Sequence, residues 1–331
     1  MTDPLVSVII PTYNRAGIIS RTIDNVFDQT YKNIEVIIVD DGSTDDTVAR
    51  LREYGSRIRV VWRENAGPAT ARNRGVETAR GEIIAFQDSD DAWLPQKIER
   101  QVALLEKAGN HVPCCICNAT LISSDRPAIT SFRNARLSPH VEEGLWLNAP
   151  QVLMDRFLLF NQTVAIRRAA LDKTGGFDET LRYLEDADLA LRLSLLGPFA
   201  FIREPLVVYH QGSVGSLAME ALKKEILLRE NVLKTRERVY ETVRVTDDYL
   251  QLRAPARRAL HRARRELWIA RLAQNRIMGA PTVSHVLQRA ERYLEAIAAR
   301  SPWYERMQVV PIPNKKESFS YSTTELRYQA K

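Results

Sequence analysis

The chain has 331 residues, 45% of them hydrophobic and 27% charged, with a formal net charge of +6. This length and balance suit a large folded domain with an appendage and exclude a disordered or fibrous chain. The longest apolar runs, such as Leu5 to Ile10 and Val36 to Val39, are strand-sized and fall well short of the ~20 residues that span a bilayer.

Met1 to Pro4 leads directly into a strand, without the basic region, apolar stretch and small-residue cleavage site of a signal peptide. A cytoplasmic location is therefore expected. Strands are expected at Val6 to Ile10, Val36 to Val39, Ile58 to Trp62, Ile83 to Phe86 and Cys114 to Ala119. Helical spacing alternates with them. The first helix runs from Ile18 to Phe27, and Ser43, with Asp46 three residues on, predicts an N-cap for the second. Pro68 suits the first turn of the third, and Pro95 begins a fourth that reaches about Lys107. Such alternation implies a mostly parallel sheet with helices on both faces, whose ligands bind at the carboxyl ends of the strands. The stretch from Ser123 to Leu147 reads as loop. A helix follows from Ala187 to Leu196, then a strand pair at Phe199 to Ile202 and Leu206 to Tyr209. Ala218 to Val245 and Leu252 to Arg300 read as helices, and the polar tail from Pro311 as disorder. Cys114, Cys115 and Cys117 fall in one apolar run with no second Cys or His pair at suitable spacing. They fit a buried strand better than a disulfide or a zinc site.

Polar clusters stand at three strand ends: Pro11-Thr12-Tyr13-Asn14, Asp40-Asp41-Gly42-Ser43 and Asp88-Ser89-Asp90-Asp91. Carboxylates as crowded as Asp88, Asp90 and Asp91 repel one another until something positive neutralises them. A hard divalent cation, or a diphosphate held through one, meets that need; a turn with a helix cap ahead of Pro95 is the plain alternative. Asp40 and Asp41 suit a turn, or acceptance of hydrogen bonds from a nucleobase or ribose. Tyr13 suits packing, or stacking on a base. Glu185, Asp186 and Asp188 lie near a helix N-terminus, where the dipole favours them; a general base is the other reading. His210 suits a structural role or contact with phosphate or metal. Arg72 suits a solvated face or a phosphate at a helix N-terminus.

Taken together and in order, Val6 to Asn14, Val39 to Ser43, Ala71-Arg72-Asn73, Asp88 to Asp91, Gly175 to Glu179, Glu185-Asp186 and His210 resemble the family 2 glycosyltransferases of the GT-A fold. The resemblance covers Val6 to Ser216. It implies a catalytic domain over residues 1–216, with a nucleotide-sugar half at 1–120 and an acceptor half at 121–216. A basic helical extension (217–310) and a disordered tail (311–331) follow. It implies that Pro11, Thr12, Tyr13, Asn14, Asp41, Arg72, Asp88 and Ser89 bind a nucleotide diphosphate sugar, with Asp41 on the base and Asp88 near the ribose. Asp90, supported by Asp91 and His210, would hold Mn2+ or Mg2+. Asp186 would be the general base, assisted by Glu185, in an inverting single displacement. Uridine is the nucleotide the resemblance favours, and the acceptor is a saccharide or lipid-linked saccharide of bacterial surface polysaccharide or glycoconjugate synthesis. Ala187 departs from the pattern, because many relatives carry an aromatic after the Glu-Asp pair; this opens the acceptor side. No Gln-x-x-Arg-Trp stretch of processive synthases occurs, so one sugar is expected per encounter.

Eight arginines and one acid, Glu266, lie between Arg253 and Arg276. This stretch suits a solvated face, a dimer contact, or peripheral contact with anionic lipid at the inner face of the cytoplasmic membrane. Nucleic acid is disfavoured, for want of a recognised motif or an aromatic-rich basic platform. The rival enzyme class is a sugar nucleotidyltransferase, which needs a Gly-rich, basic N-terminal loop where this chain has Pro11 to Asn14. A dehydrogenase would need Gly-x-Gly-x-x-Gly after the first strand. A non-catalytic sugar-nucleotide binder is disfavoured by Asp90 and Asp186.

Overall fold

A computed structural model provides the three-dimensional structure and describes residues 3–124, 126–210, 225–276 and 307–312. β1 (Val6–Thr12), α1 (Ile19–Phe27), β2 (Ile34–Asp40), α2 (Thr47–Arg52), β3 (Arg59–Trp62), α3 (Pro68–Thr78) and β4 (Ile83–Phe86) alternate as expected. β5 (Ala92–Trp93), α4 (Lys97–Ala108) and β6 (Cys114–Ile122) follow. The second half contains β7 (Ile129–Thr130), α5 (Ser131–Asn134), β8 (Glu143–Trp146), α6 (Ala149–Leu153), β9 (Val164–Arg167), α7 (Arg168–Thr174), α8 (Glu185–Ser194) and β10 (Phe199–His210). α9 (Glu225–Val245), α10 (Leu250–Arg276) and β11 (Val309–Val310) complete the described elements.

One sheet runs in the order β11-β8-β10-β6-β9-β4-β1-β2-β3, with β5 on β10 and β7 on β6. β3, β2, β1 and β4 are mutually parallel, and the register places Thr12 opposite Asp40. The polar clusters therefore share one edge. β9 inserts antiparallel between β4 and β6, and β8 lies antiparallel to β10, so the sheet as a whole is mixed. Successive residues of the central strands point to opposite faces, and both faces are covered. Val8 and Ile10 pack with Ile19 and Ile23 of α1 and Ile98 of α4. Ile9, Ile37 and Ile84 pack with Ala71 of α3, Leu171 of α7 and Leu189 of α8. Gly75 lets α3 lie directly on the sheet, since a Cβ there would come within 2.4 Å of Ile9 Cγ2. The three cysteines are free and buried on β6, as their apolar run implied.

Several expectations are corrected. Ser43 does not cap α2; its hydroxyl donates to Asp40 Oδ1 at 2.5 Å, while Asp45 Oδ1 accepts from Thr47 N at 3.0 Å. The supposed loop from Ser123 to Leu147 holds β7, α5 and β8, elements of two to four residues, too short to show periodicity. The strand pair is one strand, β10, with register shifts on both sides of Pro205, because proline gives no N–H to the ladder. The helix expected over Ala187 to Leu196 is opened by Glu185 and Asp186, which stand in its first turn as their place near a helix N-terminus implied. Val309 and Val310 pair with Trp146 and Leu145 of β8, and Ile312 is buried, so this short segment rejoins the sheet edge. The helical stripe from Val283 to Ile297, the residues from Gln211 to Leu222 and the tail beyond Ile312 lie outside the described residues.

Candidate active site

At the end of β1, Tyr13 is 46% exposed, a free aromatic face at the sheet edge. Asn14 takes a left-handed backbone (φ 52°), uncommon for a residue with a side chain. There its N–H donates to Ser43 Oγ at 2.9 Å and its Oδ1 accepts from Thr44 N at 2.8 Å. Asn14 thus stitches the β1 loop to the β2 loop. Asp41 is buried, and its carboxylate accepts from Ala66 N at 3.1 Å and Gly67 N at 2.8 Å, which fixes the turn before α3. Thr12 is buried and its carbonyl accepts from Asp41 N; Pro11 pairs with Val39 within the ladder.

Arg72 is the hub of the site. Its side chain is only 5% exposed, and its two arms reach Asp88 Oδ1 at 2.7 Å and Glu185 Oε1 at 2.8 Å. It therefore joins the β4 cluster to the start of α8, and both acids hold its guanidinium in the charged form. The ring of Phe177 lies 5.6 Å from the guanidinium carbon and meets Phe86 edge-on. Gln162 donates to the other oxygen of Asp88. Sequence placed Arg72 on the base or diphosphate; in the structure both its NH groups serve carboxylates.

Asn73, next to this hub, clasps the Gly175 to Glu179 turn. Its Nδ2 donates to Phe177 O at 2.9 Å and Glu179 Oε1 at 2.8 Å, and Phe177 N donates back to its Oδ1 at 2.8 Å. Gly176 has φ 72°, and a Cβ there would sit 2.7 Å from Asn73 Oδ1. We predict that Gly176→Ala costs about 1–3 kcal/mol, measured by urea unfolding; an unchanged midpoint would contradict the clasp.

α8 starts abruptly. Leu184 precedes it with φ 65°, a conformation that strains a branched side chain, and Glu185 and Asp186 follow at once. Burial, then the adjacent Glu185 charge, raises the Asp186 carboxyl to about 7. Asp188 plays a different part. It is fully buried, held by Arg192 Nε at 2.8 Å and by Arg238 of α9 at 2.9 and 3.0 Å. Arg238 also binds Asp178, and Asn231 of α9 donates to Tyr183 O at 3.0 Å. α9 therefore braces the first turn of α8, which carries the Glu-Asp pair, and the loop that leads into it.

A cleft of about 460 Å³ opens beside the β4 cluster, lined in part by Arg15, Arg21, Ser89, Asp90 and His210. His210 N donates to Asp91 Oδ1 at 3.1 Å, and its Nδ1 lies 3.1 Å from Asp90 O. Asp91 Oδ2 is buried with no hydrogen-bond partner. Burial, together with the Asp88 and Asp90 charges, pushes the Asp91 carboxyl up to about 9.

Residues 7–172 match the family described as Glycosyl transferase family 2, half of the chain. The chain belongs to that family. It is 31% identical over 236 residues to an Escherichia coli UDP-Glc:alpha-D-GlcNAc-diphosphoundecaprenol beta-1,3-glucosyltransferase, WfaP, covering 70% of this chain and 86% of that protein. Among uncharacterized Rickettsia glycosyltransferases 31–34% identical to it, the chain spans from 72% of one protein's length down to 27% of another's. S. aureus TarS (1–349) in complex with UDP-GlcNAc aligns with a TM-score of 0.58 at 18% identity, covering 79% of this chain and 72% of that one. The mannosyltransferase PcManGT from Pyrobaculum calidifontis, in complex with GDP-Man and Mn2+, aligns with a TM-score of 0.52 at 22% identity, covering 91% and 82%. The fold of this family 2 glycosyltransferase is of the GT-A type, a mixed sheet with flanking helices and C-terminal helices.

Among the described residues, no three His, Cys, Asp or Glu side chains form a ready-made metal cage. What the glycosyltransferase does offer is an acidic cluster in which Asp90 lines the open cleft and the adjacent Asp91 keeps a buried Oδ2 without a hydrogen-bond partner. That arrangement fits a hard cation of the Mg2+ type, which takes one or two carboxylates and completes its shell with water and substrate phosphates. Asp91 tests the fit. Its carboxyl is raised from 3.8 to about 9, so the native fold holds a proton there that the unfolded chain gives up near pH 4. The associated stability is present in acid and declines as pH rises through that window. Asp91→Asn should therefore raise the metal-free thermal midpoint by about 2–4 °C at pH 8 and by little at pH 4. Added Mn2+ should stabilise the native chain more than the variant, as read by scanning calorimetry. Equal midpoints at pH 8 would contradict this account of Asp91.

Sequence reasoning missed Gln162 and Leu184 as parts of the site, and gave no role to Asn73 and Phe177, although both stand in stretches that carry the resemblance. Gln162 had a local signal of its own, a polar step between the apolar runs Leu158 to Phe160 and Val164 to Ile166.

Proposed function

We propose that this chain transfers a hexose from a UDP-linked donor to a saccharide on a lipid diphosphate, one sugar per encounter and with inversion. The observation that carries the reading is the bridge by which Arg72 ties Glu185, next to Asp186 at the start of α8, to Asp88 of the β4 cluster; burial in this setting raises the Asp186 carboxyl. The family and the lipid-linked acceptor in the name of the E. coli relative support the substrate class. In this reading Tyr13 stacks on the base, and Asp41 and the Pro11 to Asn14 loop shape its pocket. Asp41 accepts two protein hydrogen bonds and pairs with Arg63 at 3.4 Å, Asp88 accepts two, and a carboxylate has about four lone-pair sites. Both can therefore also receive the base or the ribose.

The acceptor hydroxyl attacks the anomeric carbon as the bond to the diphosphate oxygen breaks. Its proton passes to Asp186, and UDP departs with the bonding pair. Asp90 and Asp91, with His210 beside them, would hold the cation, which when bound supplies charge stabilisation at the leaving diphosphate. Arg72 keeps Glu185 and Asp88 in place and counters their repulsion of the Asp186 anion. Ala187 leaves the acceptor side open for a bulky saccharide. The test is a panel of nucleotide sugars with Mn2+, scored by released nucleoside diphosphate. Release from a UDP-sugar, lost with EDTA and in Asp90→Ala, is expected. Release unaffected by both treatments would overturn the metal-assisted reading.

A further inference from the structure

Among the described residues, the arginines from Arg253 to Arg271 take no part in the site. α10 buries Leu252, Ala256, Ala259, Leu260, Ala263 and Leu267, packing against α9 and α6. Its opposite stripe carries Arg257, Arg258, His261 and Arg265 around an open hollow of about 450 Å³. Trp268, 61% exposed, lies one turn further on. Arg258, His261, Arg265 and Trp268 follow at spacings of three and four residues, so they share one helix face about 15 Å long. Neighbouring exposed arginines are neutralised: Arg264 pairs with Glu237 at 3.1 Å and Arg271 with Glu230 at 2.7 Å. Arg262, at the edge of the hollow, pairs with Asp155 at 3.1 Å. Among the described residues, no carboxylate pairs with Arg257, Arg258 or Arg265.

We infer that this face docks the protein onto a bilayer through anionic phospholipid headgroups. The buried stripe fixes the helix, so guanidiniums that have no carboxylate partner among the described residues stand presented at set spacing, and their planar forks suit phosphate oxygens. The exposed indole beside them is the residue type that settles at headgroup depth, its ring apolar and its N–H polar. A second copy of the chain is a poor occupant, since a two-fold contact would set like charges against each other. Nucleic acid finds one aromatic here and no stacking platform. The inference deepens the proposed reading and rests on it, because docking brings the enzyme to the surface where a lipid-linked acceptor resides.

The test is co-sedimentation of the full chain with equimolar phosphatidylglycerol–phosphatidylcholine vesicles, compared with pure phosphatidylcholine vesicles. Binding to the anionic vesicles alone is expected, weakening as salt rises. Arg257→Gln/Arg258→Gln/Arg265→Gln should lower partitioning on the order of a hundred-fold, and Trp268→Ala should lower it separately. Both variants should keep the native circular dichroism spectrum and native UDP release in water. No binding to anionic vesicles, or full binding by the triple variant, would overturn the inference. A triple variant that binds normally but changes molecular mass in solution would also overturn it, making the face a self-association contact. UDP release in water needs no membrane, so failed docking with intact release would leave the transferase reading standing.

Discussion

Asp186→Asn is expected to slow sugar transfer by about 10²–10⁴-fold while leaving the dissociation constant for the UDP-sugar within about twofold. The amide keeps the size of the carboxylate and can still accept from Ala187 N, which meets Asp186 Oδ1 at 2.7 Å. It cannot take up the acceptor's proton. Because burial and the Glu185 charge raise this carboxyl to about 7, the base is deprotonated, and transfer fast, above that pH. The rate should fall as pH drops through it, giving an acidic limb near neutrality that the variant lacks. Steady-state kinetics across pH, with donor affinity by calorimetry, separates the base from a mere donor contact. A variant that loses donor affinity at unchanged turnover would refute the assignment.

The second large effect is on Arg72. Arg72→Met keeps most of the side-chain volume but leaves Asp88 and Glu185 without their shared cation in a nearly dry position. Removing one member of such a buried cluster costs about 3–5 kcal/mol. Donor turnover should fall as well, since Asp88 and Glu185 both lose their tether. Arg72→Lys should recover charge and only part of the loss, because one ammonium cannot reach both carboxylates with the geometry of the planar fork. Urea unfolding reads the stability, and UDP release reads the activity. A methionine variant as stable and active as the native chain would show that the bridge is incidental.

The N-terminal half was legible because its strands are apolar runs, as at Ile34–Asp40, separated by helices that show an apolar stripe, as at Ile19–Phe27, or a proline in the first turn, as at Pro68–Thr78. The clusters at Asn14, Asp41 and Asp88 came with it, since strand ends in such a sheet share one edge. The second half was less legible. β9 is four residues long, and its antiparallel insertion between β4 and β6 depends on partners far away in sequence. β10 reads as two strands because Pro205 interrupts the ladder. Within the site, residue types announced the carboxylates but not their partners. That Arg72 would serve Asp88 and Glu185, 16 and 113 residues away, depends on how α8 docks on the sheet. Gln162 meets Asp88 from an unremarked turn between two apolar runs. The bracing of α8 by Arg238 likewise depends on tertiary packing that helical periodicity does not encode.

The most direct measurement is time-resolved proton NMR of UDP-glucose incubated with the enzyme and Mn2+, water serving as acceptor. A single displacement assisted by Asp186 predicts that UDP and the β-anomer of glucose appear together, before mutarotation mixes the anomers. The α-anomer appearing first would contradict inversion, and with it the role given to Asp186.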